Sequence, residues 1–225
     1  MLSVDRTVLP APNDIYLQIP NKNGSYLFSR GSLDRIIKVD CSIFANSLPG
    51  LRSTVRQIAA WLYTRQRVQL VFDDEPDLYY MAKIEGGIGL EQITTDGMFT
   101  LIFRCEPFAY GDQVIANFVN DSVTLTNAGT AETEPYFQTT FTAAATEWKI
   151  TLGTDYCRLA NSFLVGDVLV LDFATGAVLL NGTRAMNLLD WQNSRFFSLP
   201  VGASTLTVTP AGKSATLVKY TPKWR

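Results

Sequence analysis

Histidine is missing from all 225 residues. That excludes zinc sites built on imidazole, Ser-His-Asp triads and Cys-His pairs. Cysteine is scarce: Cys41, Cys105 and Cys157 are odd in number, far apart, and form no CxxC pair. A thioredoxin-like motif, a metal knuckle and a disulfide framework are therefore not expected. Three thiols in strands, behaving as small hydrophobes, are expected instead. A surplus of one charge is also lacking, since 19 Lys+Arg face 21 Asp+Glu for a net of −2. This argues against affinity for nucleic acid through excess positive charge. No apolar run approaches the roughly 18 residues of a membrane span. Met1–Arg6 lacks the basic start and apolar stretch of a secretory signal, so synthesis in a cytoplasm without a membrane partner is expected.

What the chain does contain is strand-like alternation. With 47% hydrophobic and 18% charged residues it can bury a sizeable core. Apolar and polar residues alternate over Ile37–Ile43 and again over Gly97–Cys105. Asn23-Gly24 sits between Ile15–Ile19 and Tyr26–Phe28, which predicts a hairpin. One segment changes period: Leu51, Val55, Ile58, Ala59 and Leu62 recur at helical spacing, with Ser47 as a cap and Pro49 in the first turn. The spacing predicts a helix over about 48–64, packed on a sheet, with Trp61 covering their junction. The stretch 106–112 breaks the pattern and marks a boundary between domains 1–110 and 111–225. Beyond it, short alternating segments punctuated by turn residues predict an all-β sandwich; Asn181-Gly182 marks another hairpin.

Few features point to chemistry. Asp73-Asp74-Glu75-Pro76-Asp77, followed by Tyr79-Tyr80, is the densest polar cluster. Carboxylates so grouped can ligate calcium or serve as the acid and base of a glycosidase. The glycine at the centre of a calcium loop is absent, however, and Pro76 reads as part of a strand-to-strand turn. Asp73, Asp74, Asp77, Tyr79 and Tyr80 are accordingly expected at a subunit or partner contact, and Trp61 and Leu62 in helix packing. No catalytic, metal or cofactor-binding residue is assigned. Trp148, Trp191 and Trp224 offer two readings, core or interface packing and a stacking platform for pyranose rings. Gly86-Gly87-Ile88-Gly89 is followed by no GK[ST] and reads as a hairpin tip.

The succession of segments resembles the distal tail protein (Dit) family of long-tailed phages. In the first half the resemblance rests on Ile58-Ala59-Ala60-Trp61-Leu62, then Asp73-Asp74-Glu75-Pro76-Asp77-Leu78-Tyr79-Tyr80, then Phe103-Arg104-Cys105-Glu106-Pro107. In the second half it rests on Asn127-Ala128-Gly129-Thr130, Gly166-Asp167 through Asp172, Leu180-Asn181-Gly182, and Phe197 through Gly202. The resemblance implies a mainly β protein: an N-terminal tail-tube-like β-sandwich with one helix, then a galectin-like β-sandwich. It further implies a structural homohexameric ring at the virion tail tip or baseplate, assembled in the host cytoplasm. That ring would join the tail tube protein to the tail-associated hub protein and a receptor-binding protein, with DNA passing through its channel. The competing reading is a carbohydrate-binding module in host adhesion; a cell-wall glycosidase is a third.

Overall fold

The computed structural model describes residues 3–29, 31–93 and 96–225. The chain divides into two compact units, Met1–Ala109 with Arg225, and Tyr110–Trp224. The first unit comprises strands β1 (Ser3–Arg6), β2 (Ile15–Gln18), β3 (Ser25–Ser29) and β4 (Arg35–Phe44), helix α1 (Leu48–Leu62), and strands β5 (Val68–Phe72), β6 (Glu75–Ile84), β7 (Glu91–Ile93) and β8 (Asp96–Tyr110), the last ending at the boundary. The strand order is β1-β4-β8-β6-β5, with β7 also against β8. The β4–β8 ladder runs antiparallel from Arg35 opposite Cys105 to Phe44 opposite Asp96. Alternation aims Ile37, Val39, Leu101 and Cys105 inward. The sheet curls until its ends meet: Arg6 on β1 pairs with Asp74 at 2.5 Å and lies 4.0 Å from the Phe72 ring centroid. β2 and β3 form a separate two-stranded hairpin, turning at Gly24 with φ +83°.

Helix α1 begins where the sequence provides for it. The Ser47 side chain accepts a hydrogen bond from the Gly50 amide at 3.2 Å, and Pro49 occupies the first turn. Leu51 is buried, and Val55, Ile58 and Leu62 are half-buried on the same face. The helix stops at Tyr63, whose backbone is extended.

The second unit is a sandwich of two antiparallel sheets. Its strands are β9 (Val114–Asn117), β10 (Ser122–Asn127), β11 (Tyr136–Phe141), β12 (Ala145–Leu152), β13 (Asp155–Phe163), β14 (Val168–Asp172), β15 (Ala177–Leu180), β16 (Thr183–Arg184), β17 (Gly202–Thr209) and β18 (Ser214–Tyr220). One sheet has the order β10-β17-β12-β13, the other β16-β15-β14-β11-β18-β9. Alternate residues of both meet in one core that includes Trp148, Ile150, Leu159, Leu169, Leu171 and Leu206. Phe141 of one sheet stacks on Phe163 of the other, with ring centroids 4.3 Å apart. Among the described residues, twenty-two buried hydrophobic residues belong to this unit and nine to the first.

Candidate interaction surfaces

The acidic cluster resolves into separate roles. Phe72 pairs with Glu75, so Asp73-Asp74 alone form a two-residue turn and Asp77 lies on β6. Asp74 is held below the usual carboxylate range by the hydrogen bond from Arg6. Asp73 and Asp77 are exposed. Tyr79 is half-buried. Tyr80, expected at a contact surface, is only 5% exposed and belongs to the core. It meets Phe72 edge-to-face with centroids 6.1 Å apart, and burial pushes its phenol above the ordinary range. The alternation of β6 decides this: Tyr80 falls on the inner face with Ala82.

Trp61 also departs from expectation. Leu62 does line the inner face, but Trp61 stands 76% exposed. At about 100° per residue, Trp61 lies roughly 80° from Leu51, the centre of the buried stripe, so its indole leaves the sheet. Two adjoining clefts border α1, sharing Ala59 and Ile88 in their linings. One of about 560 Å³ is lined by Leu62, Tyr63, Arg65, Lys83 and Ile88, and one of about 90 Å³ by Val55, Ile58, Leu90 and Phe99. Gly86–Gly89 is thus a loop whose Ile88 approaches the helix rather than a hairpin tip.

Sequence reasoning missed how apolar the surface of the first unit is. Among the described residues, seventeen exposed large hydrophobic side chains fall in the first unit and six in the second. The hairpin alone exposes Ile15, Tyr16, Leu17, Tyr26 and Leu27. A signal was available: both hairpin strands carry apolar residues on adjacent positions, which no single inward face can accommodate.

Of the tryptophans in the second unit, Trp148 is fully buried, Trp224 half-buried and Trp191 exposed. Only Trp191 retains the geometry of a sugar platform. The motif residues in this unit act as structural clamps. Asp167 accepts from the Leu164 amide and from Asn181 Nδ2, while Asn181 Oδ1 accepts from the Val168 amide. Asn181 and Gly182 both take positive φ, as a tight turn of this type requires. Asn127 is buried and donates to the carbonyls of Ala131 and Leu199. Burial pushes the Cys105 thiol up to about 11 and that of Cys157 to about 12. Among the described residues no group of three His, Cys, Asp or Glu is placed to hold a metal ion. No helix among them is long and apolar enough to cross a membrane.

Comparison with known proteins gives this geometry a family. Residues 3–105 match the family described as phage tail protein RIFT-related domain. Residues 128–224 match the siphovirus-type tail component, C-terminal domain. The crystal structure of SPP1 Dit (gp 19.1), described as a paradigm of the hub adsorption apparatus in phages infecting Gram-positive bacteria, superposes with a TM-score of 0.82. That alignment is 21% identical and covers 100% of this chain and 93% of the SPP1 protein. Each half of the chain thus matches a domain family of phage tail components. The SPP1 likeness establishes the fold of this chain: mainly β, in several sheets, with one α-helix among the described residues. A chain of the phage p2 baseplate in its activated conformation with strontium aligns at 9% identity over 96% of this chain and 90% of that one. Its TM-score is 0.42. No curated protein matches the sequence. On these two matches the chain is a phage tail component.

Proposed function

We propose that this chain acts as a Dit protein and forms a homohexameric ring through its first unit, joining the tail tube protein to the tail-associated hub protein and a receptor-binding protein. The observation that carries the proposal is the uneven distribution of apolar surface. A unit with few buried and many exposed hydrophobic side chains is short of partners, and a permanent subunit interface supplies them. Closed rings of identical subunits are an ordinary outcome of such contacts. The ring sits at the virion tail tip, is assembled in the host cytoplasm, and passes DNA through its channel without performing catalysis. Near-neutral charge suits transit, since a strongly basic wall would hold the nucleic acid.

Sedimentation velocity and negative-stain imaging of the full chain test the reading. A hexamer has about six times the 25.0 kDa of one chain and shows a central hole. A monomer at all concentrations would overturn it. The adhesion reading keeps one support, exposed Trp191; glycan-array binding abolished by Trp191→Ala would favour it.

A further inference from the structure

Helix α1 presents an exposed stripe that its own chain leaves unpartnered. Leu48, Arg52 and Arg56 are spaced by four residues, and Ala59 and Tyr63 continue the same side of the helix. All five are exposed. The helix carries no carboxylate, and among the described residues neither Arg52 nor Arg56 has an ion pair. Its outer side is therefore cationic in the middle and apolar at both ends.

The complement stands elsewhere on the same unit. On the β5–β6 hairpin, Val71 is paired with Tyr79, and Asp77 lies two residues before Tyr79, within the register shift that separates this pair from Phe72 opposite Glu75. Asp73 stands in the adjoining turn. Val71 is exposed and Tyr79 half-buried. Asp73 and Asp77 have no ion pair among the described residues, whereas Asp74 is already taken by Arg6. This surface is apolar with two open carboxylates, against an apolar stripe with two open guanidinium groups. The pairing does not form within one chain.

We propose that the α1 stripe of one copy receives the β5–β6 hairpin of the next, with Arg52 and Arg56 against Asp73 and Asp77. The inference rests on the ring reading above and names its contact. Two different surfaces on one chain make a head-to-tail interface, which propagates and closes on itself. The charges set its direction, because turning one copy around would oppose like signs.

Charge reversal tests it on the full chain. The double variants Arg52→Glu/Arg56→Glu and Asp73→Lys/Asp77→Lys alter exposed side chains only, and their melting should stay within a few degrees of wild type. Each alone should sediment as a monomer where the wild type forms rings, raising the assembly concentration at least tenfold. An equimolar mixture should recover rings of alternating copies, since every junction then joins opposite signs. The neutral pair Arg52→Gln/Arg56→Gln gives an intermediate loss and covers a reversal that fails to fold. Rings from either reversed variant alone would overturn the contact while leaving the ring reading intact. So would two well-folded variants whose mixture stays monomeric. A monomeric wild type would overturn both.

Discussion

Two tryptophans show how far burial, not residue type, sets the effect of a substitution. Trp148 is fully enclosed and its indole N–H has no hydrogen-bond partner. Trp148→Ala should lower stability by about 3–5 kcal/mol, measured by denaturant unfolding. Trp148→Phe should cost less, because no hydrogen bond is lost. Trp61→Ala should leave unfolding within about 0.5 kcal/mol of wild type. The apolar period of the helix was legible in sequence, but a side chain at the edge of a stripe faces in or out according to sheet curvature, which sequence does not encode locally. The thiols make a second residue-scale prediction. Native Cys105 and Cys157 should resist a thiol reagent at pH 8, and unfolding should expose all three cysteines. With folded values near 11 and 12 against an ordinary value of 9.0, both thiols stay protonated after the unfolded chain has begun to ionise. Their contribution is full below about pH 9 and declines as pH rises towards 12. Asp40, Asp74, Asp167 and Asp190 lie below the ordinary carboxylate value. Their contribution is full above that value and is lost as pH falls, so acid titration should show a loss beginning below about pH 4.

Among the elements, the backbone is most tightly confined near Gly129. A Cβ there would stand 2.3 Å from the Lys223 carbonyl oxygen. That same oxygen accepts from the Thr130 and Ala131 amides at 2.9 and 3.0 Å, so it has no room to retreat. Gly129→Ala should cost about 1–3 kcal/mol as overpacking, and Asn127→Ala a similar amount through the bonds it strands; thermal melts check both. The Asn-Ala-Gly-Thr segment drew notice in the sequence as a family mark, and the structure gives it this mechanical reason. The two Asn-Gly hairpins and the start of α1 were legible because turn and cap chemistry are local. Strand β13 was not legible in the sequence, because Ala160-Asn161-Ser162 interrupts the alternation and a register shift occurs opposite it. The acidic turn was read as five residues and is two, since Phe72 already opposes Glu75 and the register shift that follows takes up Pro76 and Asp77 within the strand.

The whole molecule joins a unit with a continuous core to one with a thin core. Calorimetry of dilute chain should therefore resolve two transitions, the first unit melting lower. Raising the protein concentration should move the lower transition upward and leave the upper one in place, because assembly stabilises only what it contacts. A single concentration-independent transition would contradict this. A break at 106–112 can be read from the sequence; the imbalance between the two units cannot, because composition averages over both. That imbalance has a consequence in time. The apolar-surfaced unit precedes the other in the chain, and at bacterial elongation rates the rest takes on the order of ten seconds to emerge. During that interval each nascent first unit is tethered to its ribosome, close to equivalent units on the same message. Assembly of the kind proposed would therefore begin between neighbouring ribosomes, before the chains have been released.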